Sequence, residues 1–372
     1  MTRGIRLGHI LGIPITIDYS WFIIFLVFSF SLSVQFLPTV PGLPKPAYFL
    51  LGMLTTGLLF VSVLIHELAH SVVARRRGLP VAGITLFIFG GASQLQEEPA
   101  SPETEFRMAI VGPLTSLVLA ALFFLAYRSA HAADYRALAE VTVQLAGINV
   151  ALAVFNLVPG FPLDGGRVLR AAIWHFTGDL LRATATAAAA GQAFGYALIA
   201  LGVLAFFGGQ TLVGIWAAFV GWFLLNAAQA SYQQLLARRA LAGVAVGQLM
   251  GHERPVVSPD LDLDRLVHDY LLHYEHNVFP VVEDGHLLGT VGIAQVRGVD
   301  RSQWPNTLVR TVMRPAPPEQ IVGPQFDAWN AIARLGAGEC ECLFIVSEGL
   351  LQGVVNKTDL LRWLRTHQQL GV

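Results

Sequence analysis

Long apolar runs that carry almost no charge are the feature that most constrains the fold of this chain. Each is about as long as, or longer than, the roughly 20 residues that an α-helix needs to cross a bilayer. The six runs are residues 19–38, 46–74, 108–127, 141–158, 186–207 and 211–230. Only 13% of the 372 residues are charged, about half the share of a soluble domain. Residues 1–240 are therefore predicted to form a polytopic α-helical membrane domain with about six transmembrane helices.

The arginines predict how this domain is oriented. Cytoplasmic loops of membrane proteins carry an excess of arginine and lysine. One set of run ends is rich in arginine, with Arg3, Arg6, Arg75, Arg76, Arg77, Arg167, Arg170, Arg182, Arg238 and Arg239. The opposite set has Lys45, Arg128 and Arg136. We therefore expect a multi-pass protein of the cell membrane with both termini in the cytoplasm. The net charge of −1 argues against nucleic acid as the main partner.

Two further segments are too short to span the bilayer. Residues 82–96, "AGITLFIFGGASQLQ", have the composition of strands and are broken by Gly90 and Gly91. We expect a re-entrant β-hairpin that enters from the cytoplasmic side and packs on helices or lines a cavity, because lipid cannot satisfy a strand edge. Its edge, at Gly90 and Gly91, is a candidate substrate-binding element through strand addition. Residues 163–177 are expected to form an interfacial helix. Gly191 and Gly195 form a small-residue face that favours close helix packing.

The second run contains the sequence "HELAH", with His66, Glu67 and His70. Positions i and i+4 share one face of a helix, and this spacing suits two imidazoles on zinc with a carboxylate beside them. The alternative is a polar helix end at the membrane surface with hydrogen-bonded histidines. Depth argues against that alternative. If Arg75 marks the interface, His66 lies roughly 14 Å inside the core, where ionisable groups are costly and functional.

A third zinc ligand is expected from another helix, since catalytic zinc takes three protein ligands and keeps one position open. The sequence "FNLVPGFPLDGGRV" at residues 155–168 supplies Asp164 after a break in the fourth run. Broken backbone at membrane depth is expected where it lines a cavity. A helix-capping aspartate is the alternative. Asn149 and Asn156 share one helix face and either donate to the oxyanion of a tetrahedral intermediate or form interhelical hydrogen bonds.

These side chains predict metal-assisted hydrolysis of a peptide bond. One zinc ion per chain would activate a water molecule and polarise the scissile carbonyl. Glu67 would take up the proton and pass it to the leaving amine. The substrate has to unwind first, because a helix engages its carbonyls in internal hydrogen bonds.

These motifs together resemble the site-2 protease family of intramembrane zinc metalloproteases. The resemblance rests on "HELAH" in a membrane helix, "FGG" in a short hairpin and "NLVPGFPLDGGR" in a later helix, and it covers about residues 5–232. The opening "IRLGHILGIPITIDYSWF" is similar to the branch of the family that carries tandem CBS domains. The resemblance implies His66, His70 and Asp164 as zinc ligands, Glu67 as the base and Asn156 as a substrate or oxyanion contact. It also implies membrane-anchored protein substrates and regulated intramembrane proteolysis.

After residue 240 the composition changes, and a repeat begins. The segment "VFPVVEDGHLLGTVG" from Val278 matches "CLFIVSEGLLQGVVN" from Cys342 at a spacing of 64 residues. Two copies of a strand-helix-strand-strand-helix unit, residues 241–307 and 308–372, predict one paired cytoplasmic α/β module. This module resembles a tandem CBS pair. Cys340 and Cys342 are expected to be reduced core cysteines.

The resemblance to CBS pairs implies an adenine nucleotide between the repeats. The segment "GVVNKTDLL" provides Thr358 and Asp359 as the ribose contacts that such pairs use. The first repeat departs from the pattern, because Gln295 stands where the second repeat has Asp359. We therefore expect ATP or another adenine nucleotide at one site. The alternative is a CBS pair that only joins two chains into a homodimer.

Two other functions remain open from the sequence. A transporter or channel gated by its CBS pair would also carry intramembrane charges, but it has no need of a glutamate between two zinc-binding histidines. A catalytically inactive member of the family would serve as a binding scaffold. The intact Glu67 argues against that interpretation.

Overall fold

The structure, a computed structural model, describes residues 4–95, 97–250, 255–274, 277–336 and 340–370. Gln96, the last residue of the predicted hairpin, and Arg3 lie outside the described residues. The chain divides between Leu235 and Leu236 into two compact units. The predicted boundary lies a few residues further on, at residue 240.

Six helices among the described residues are long and apolar enough to cross a membrane, which confirms the predicted number. They are α1 Ser20–Thr39, α2 Lys45–Arg76, α3 Pro102–Ala132, α4 Arg136–Asn156, α6 Leu180–Phe207 and α7 Thr211–Leu241. The seventh helix of this part, α5 Asp164–Thr177, is the predicted short helix. Helix α2 packs against α1, α3 and α4, so it lies at the centre of the helical unit.

The predicted hairpin is present as β3 Val81–Phe87 and β4 Gly90–Leu95. It belongs to a four-stranded sheet with the order β1-β2-β3-β4, in which β2 and β3 are parallel. The strands β1 Gly4–Ile10 and β2 Ile13–Asp18 were not predicted from the sequence. They are joined by Leu11 and Gly12, whose φ angles of 53° and 74° are those of the two-residue turn that favours hairpins. Both β3 and β4 pack on α2.

Two glycines of α6 allow close contact with different neighbouring elements. Gly191 lies against the loop that precedes α5, and a Cβ atom there would come within 2.0 Å of the Phe161 carbonyl oxygen. Gly195 faces α7 instead, where a Cβ atom would lie 2.8 Å from the Gly221 carbonyl oxygen. The predicted small-residue face is therefore split between two contacts. The contact at Gly191 matters for the site, because the supported loop leads directly into Asp164.

A buried ion pair joins α3 to α5. The Arg170 side chain donates from Nε to Glu105 Oε1 at 2.6 Å, and its Nη2 also contacts that oxygen. Glu105 is 0% exposed and Arg170 is 7% exposed. The guanidinium also lies over the Phe161 ring, 5.2 Å from its centroid. Arg170 thus ties α5 both to α3 and to the loop before Asp164.

The second unit contains a five-stranded sheet with the order β5-β6-β9-β8-β7. Its strands are β5 Val278–Glu283, β6 His286–Gly292, β7 Ile321–Val322, β8 Cys342–Ser347 and β9 Leu350–Asn356. Its helices are α8 Leu263–Arg265, which continues as a π-helix at Leu266–Leu271, α9 Ile293–Val296, α10 Val309–Val312, α11 Ala328–Gly336 and α12 Lys357–Leu370.

The two copies of the predicted repeat differ in completeness. The second copy has the full predicted order, β7, α11, β8, β9 and α12. In the first copy the leading strand is reduced to a parallel bridge between Val257 and Val281. The copies meet where His286 of β6 pairs with Leu350 of β9. Cys340 and Cys342 are buried thiols, as predicted.

The close approach at Gly191 predicts a steric effect. We expect Gly191→Ala to destabilise the protein by about 1–3 kcal/mol, because its methyl group would overlap the loop at Phe161. Thermal unfolding in detergent measures this as a lower melting temperature. Gly147→Ala on α4 is the matched control, since a Cβ atom there meets nothing within 4 Å and alanine favours a helix by about 1 kcal/mol. Equal melting temperatures for Gly191→Ala and wild type would contradict the packing described.

The buried ion pair predicts a second, larger effect. Arg170→Met leaves the Glu105 carboxylate buried without its cation, which costs about 3–5 kcal/mol. Chemical denaturation of the purified protein measures the loss. Arg107→Met is the control, because Arg107 pairs with Glu103 on the same helix with both side chains more than half exposed, and such pairs contribute less than about 1 kcal/mol. Similar losses for the two variants would show that the buried pair does not hold α3 and α5 together.

Candidate active site

The two histidines of α2 lie on one face of the helix, inside the helical unit. His66 is 3% exposed and His70 is 5% exposed. Their Nε2 atoms are 3.2 Å apart. The i, i+4 spacing therefore brings two potential ligand atoms to one point, as the sequence predicted.

Asp164 reaches the same point from the first turn of α5. Its Oδ2 lies 3.2 Å from His66 Nε2 and 3.1 Å from His70 Nε2. These three side chains form a group whose ligand atoms all lie within 4.8 Å of one another. Ligand atoms about 2.0–2.2 Å from a tetrahedral zinc ion lie about 3.3–3.6 Å apart. The spacing of the three atoms is thus close to that of a zinc site.

Helix α3 orients both imidazole rings. His70 Nδ1 lies 2.6 Å from the Met108 carbonyl oxygen, and since a carbonyl oxygen only accepts, Nδ1 donates. The lone pair of neutral His70 is then on Nε2, which faces Asp164. His66 Nδ1 lies 2.9 Å from Ser116 Oγ. Hydrogen bonds of this kind fix the ring orientation of metal-binding histidines.

Gly112 lies on α3 between these two contacts. A Cβ atom there would lie 2.1 Å from His70 Nε2 and 2.6 Å from His66 Nε2. A larger residue would therefore occupy the space at the ligand atoms, so glycine is required at this position.

The charge of Asp164 also suits a metal ligand. Burial acts to raise the pKa of its carboxyl group, whereas His66 and His70, when protonated, act to lower it by hydrogen bonding and charge, and the lowering is the larger effect. A metal cation bound to unprotonated Nε2 atoms at the same point would likewise favour the ionised carboxylate. A carboxylate oxygen and two imidazole nitrogens form a donor set that zinc accepts.

Glu67 lies beside this cluster and contacts the edge strand of the sheet. Its Oε2 accepts a hydrogen bond of 2.7 Å from Ser93 Oγ on β4. Gly91 lies against the Glu67 side chain, where a Cβ atom would come within 2.5 Å of Cγ. Gly90 is further away, and a Cβ atom there would lie 4.0 Å from Val63 Cγ1. The predicted glycine pair thus lies along the helix that carries the histidines.

The two predicted asparagines make local contacts on α4. Asn149 is 0% exposed, and its Nδ2 donates to Ser62 Oγ at 3.3 Å and to the Leu145 carbonyl oxygen at 2.9 Å. Among the described residues, its Oδ1 has no hydrogen-bond partner. Asn156 is half-buried and donates to the Leu152 carbonyl oxygen at 3.0 Å. Asn149 thus makes the interhelical bond that was the alternative, and the predicted substrate and oxyanion roles of both side chains stay predictions.

The second unit contains a cavity of about 190 Å³ that Thr358 lines. It lies between β5 of the first repeat and the β9–α12 junction of the second, with Asn277, Pro280, Asn356 and Lys357 among its walls. The Asp359 carboxylate accepts a hydrogen bond from the Asn356 backbone amide at 3.1 Å. Asn356 in turn accepts from the Asp359 amide at 2.9 Å, so the pair caps the start of α12. The predicted ribose contacts at Thr358 and Asp359 stay predictions.

Sequence reasoning missed the α3 side of the site. Met108, Gly112 and Ser116 recur every four residues, so they share one face of α3 with Glu105. A polar and small-residue stripe along an apolar helix was the available signal. The contact from Met108 comes from its backbone, which no side-chain pattern indicates.

Comparison with known proteins identifies the family to which the chain belongs. Residues 54–133 and 126–202 match the family described as Peptidase family M50, and residues 246–299 match the CBS domain. The chain is 35% identical to the zinc metalloprotease Rip3 of Mycobacterium tuberculosis over 99% of its own length and 94% of that protein. It is 32% identical to a zinc metalloprotease of Synechocystis, over 98% of its own length and 97% of that protein.

A solved structure is similar to the membrane part. The site-2 protease from Methanocaldococcus jannaschii is 29% identical, and the match covers 62% of this chain and 95% of that one with a TM-score of 0.42. The extent of the sequence matches shows the family. The chain therefore belongs to peptidase family M50, the site-2 protease family of zinc metalloproteases, and carries a CBS domain after its membrane-spanning helices.

Proposed function

We propose that this metalloprotease is an intramembrane protease that hydrolyses peptide bonds within or near the transmembrane segments of membrane-anchored proteins. The observation that carries the proposal is the convergence of His66, His70 and Asp164 within the bundle of apolar helices. A hydrolytic site within the membrane-spanning helices suits a substrate that also lies in the bilayer. Such an activity would take part in regulated intramembrane proteolysis.

The cluster would hold one zinc ion per chain. When bound, zinc supplies a Lewis acid and lowers the pKa of its water to about 7. The two histidines and the aspartate would supply the three protein ligands that catalytic zinc sites use, which would leave the metal accessible to reactants. Met108 and Ser116 hold the histidine rings in the orientation that this requires.

Glu67 is the proposed general base. Its Oε2 is engaged by Ser93, so Oε1 takes the proton from the attacking water and delivers it to the leaving amide nitrogen. Asn156 is the proposed donor to the oxyanion, since an amide N–H aimed at the developing charge stabilises it. Asn149, two helical turns away on α4, is proposed to contact the substrate through its buried Oδ1.

The substrate is proposed to add as a strand to β4. That strand is the last in the order of the four-stranded sheet, so one of its edges is available for pairing. Gly90 and Gly91 carry no side chain that could obstruct a backbone pairing along this edge. Strand addition would hold the unwound peptide extended next to Glu67.

The orientation proposed from the arginines places both termini in the cytoplasm of the cell. The loop ends at Arg75–Arg77 and Arg238–Arg239 then lie on the cytoplasmic face, as the positive-inside rule favours. Six crossings of the bilayer agree with termini on one side.

An adenine nucleotide is the proposed regulatory ligand of the second unit. The first residues of α12, Lys357 and Thr358, line the cavity. The backbone amide groups at the start of a helix favour the binding of phosphate. The Asp359 carboxylate is proposed to exchange its contact with the Asn356 amide for the ribose hydroxyls. Homodimerisation through the CBS pair is the second proposed role, and it is compatible with nucleotide binding.

The metal proposal predicts that substitutions of the ligands and of the base have different effects on zinc content. We expect His66→Ala, His70→Ala and Asp164→Ala to lower the zinc content of the purified protein from about one per chain. Glu67→Gln should keep the zinc yet abolish cleavage, because it removes the base and no ligand. Metal analysis and a cleavage assay on a single-pass substrate measure the two effects. Normal zinc in Asp164→Ala, or cleavage by Glu67→Gln, would contradict the assignment.

The orientation predicts which loops are reachable from outside intact cells. Cysteines introduced at Pro41 and Ala132 should react with a membrane-impermeant thiol reagent. Cysteines introduced at Glu98 and Gln234 should react only after the cells are opened. Reaction at Gln234 in intact cells would overturn the proposed orientation.

The nucleotide proposal predicts a difference between the two repeats. We expect the full-length protein to bind AMP or ATP, and both Thr358→Val and Asp359→Ala to weaken binding more than Gln295→Ala in the first repeat. Titration calorimetry measures the affinities. Absence of any heat of binding at millimolar nucleotide would contradict the ligand, and analytical ultracentrifugation would then test the homodimer.

A further inference from the structure

Alternate residues of β4 face the helix that carries the metal-binding histidines. Side chains two positions apart point to the same side of a strand. Gly91 and Ser93 both contact Glu67, whereas Ala92, between them, points the other way and is exposed. We propose that Ser93 is a positioning residue that holds the carboxylate of Glu67 in place for proton transfer. This inference rests on the proposed function, in which Glu67 is the base.

The hydrogen bonds around Ser93 run in one direction. Ser93 Oγ lies 2.7 Å from Glu67 Oε2 and 3.4 Å from the Glu67 carbonyl oxygen, and both atoms only accept. The single hydroxyl proton of Ser93 therefore goes to the nearer acceptor, Oε2. Ser71, which is 0% exposed, donates to Ser93 Oγ at 3.3 Å. The Ser71 hydroxyl thus satisfies the oxygen of Ser93 and favours the rotamer that points its proton at Glu67. Hydrogen bonds to a charged acceptor are stronger than neutral ones.

Gly91 supplies the space that this arrangement needs. A Cβ atom at Gly91 would lie 2.5 Å from Glu67 Cγ, so glycine lets the side chain pass along the strand to Ser93. A free glutamate side chain has several rotamers, and their loss on ordering has an entropic cost. Clearance at Gly91 and the hydrogen bond at Ser93 together select one rotamer. Oε1 then remains for the proton.

The same strand would bind the substrate. In the proposed strand addition, the peptide pairs with the backbone of β4, while the side chain of Ser93 orients the base. The strand β4 would then fix both the position of the scissile bond and the position of the base. Ser93 therefore acts on the rate of the chemical step, and its loss should leave substrate binding nearly unchanged.

The test compares Ser93→Ala with wild type in steady-state cleavage of a single-pass membrane substrate by the full-length protein. We expect kcat to fall about tenfold or more, because the base loses a hydrogen bond to its charged group. KM should stay within about twofold, and zinc should stay near one per chain. Ser93→Thr, which keeps the hydroxyl and suits a strand, should recover most of kcat. Ser129→Ala, which removes an exposed hydroxyl that bonds only to the Leu125 carbonyl oxygen of its own helix α3, should behave as wild type.

Several results would overturn the inference. They are a wild-type kcat in Ser93→Ala, a change confined to KM, a loss of zinc in Ser93→Ala, or a Ser93→Thr variant as slow as Ser93→Ala. Glu67→Gln in the same assay separates this inference from the proposed function. If Glu67→Gln cleaves at the wild-type rate, the proposed function is wrong. If Glu67→Gln is inactive and Ser93→Ala is fully active, only the role of Ser93 is wrong.

Discussion

The convergence of three electron-pair donors in an apolar interior is the interaction on which the site depends. His66 Nε2, His70 Nε2 and Asp164 Oδ2 lie 3.1–3.2 Å from one another. When both Nε2 atoms are unprotonated, lone pairs at this distance repel, and a buried charge without a partner is costly. A zinc ion bound there would remove this cost, because it would accept all three atoms at once. The frame of helices has to hold the donors together against their mutual repulsion.

Each neighbouring element contributes one constraint to that frame. Helix α2 sets the spacing of the histidines, and α3 sets the direction of their rings through Met108 and Ser116. The buried pair of Glu105 with Arg170 ties α5, which begins at Asp164, to α3. The loop before α5 rests against α6 through Gly191. The sheet packs on α2 through β3 and β4 and contacts Glu67.

The sequence predicted those parts of the structure that depend on residues which are energetically costly in a membrane. His66, Glu67 and His70 stand out because polar residues in apolar runs are rarely tolerated without a function, and Asp164 follows the proline and glycine break after the fourth run. The six helices follow from the length of the runs. The parallel pairing of β2 with β3 could not be predicted, because it joins segments separated by two helices. The contact from Met108 is made by a backbone carbonyl. Ser93 is a small polar residue in a short strand, and a serine at such a position does not by itself indicate a functional role.

X-ray absorption at the zinc edge of the purified full-length protein tests the central claim most directly. A site of two imidazoles and one carboxylate predicts nitrogen and oxygen ligands at about 2.0–2.2 Å, with the outer-shell scattering of imidazole rings and no sulphur. Asp164→Ala should change the ligand number in the same spectrum. Sulphur ligands at about 2.3 Å would place the metal on Cys340 and Cys342 instead. That result would contradict the account of the site.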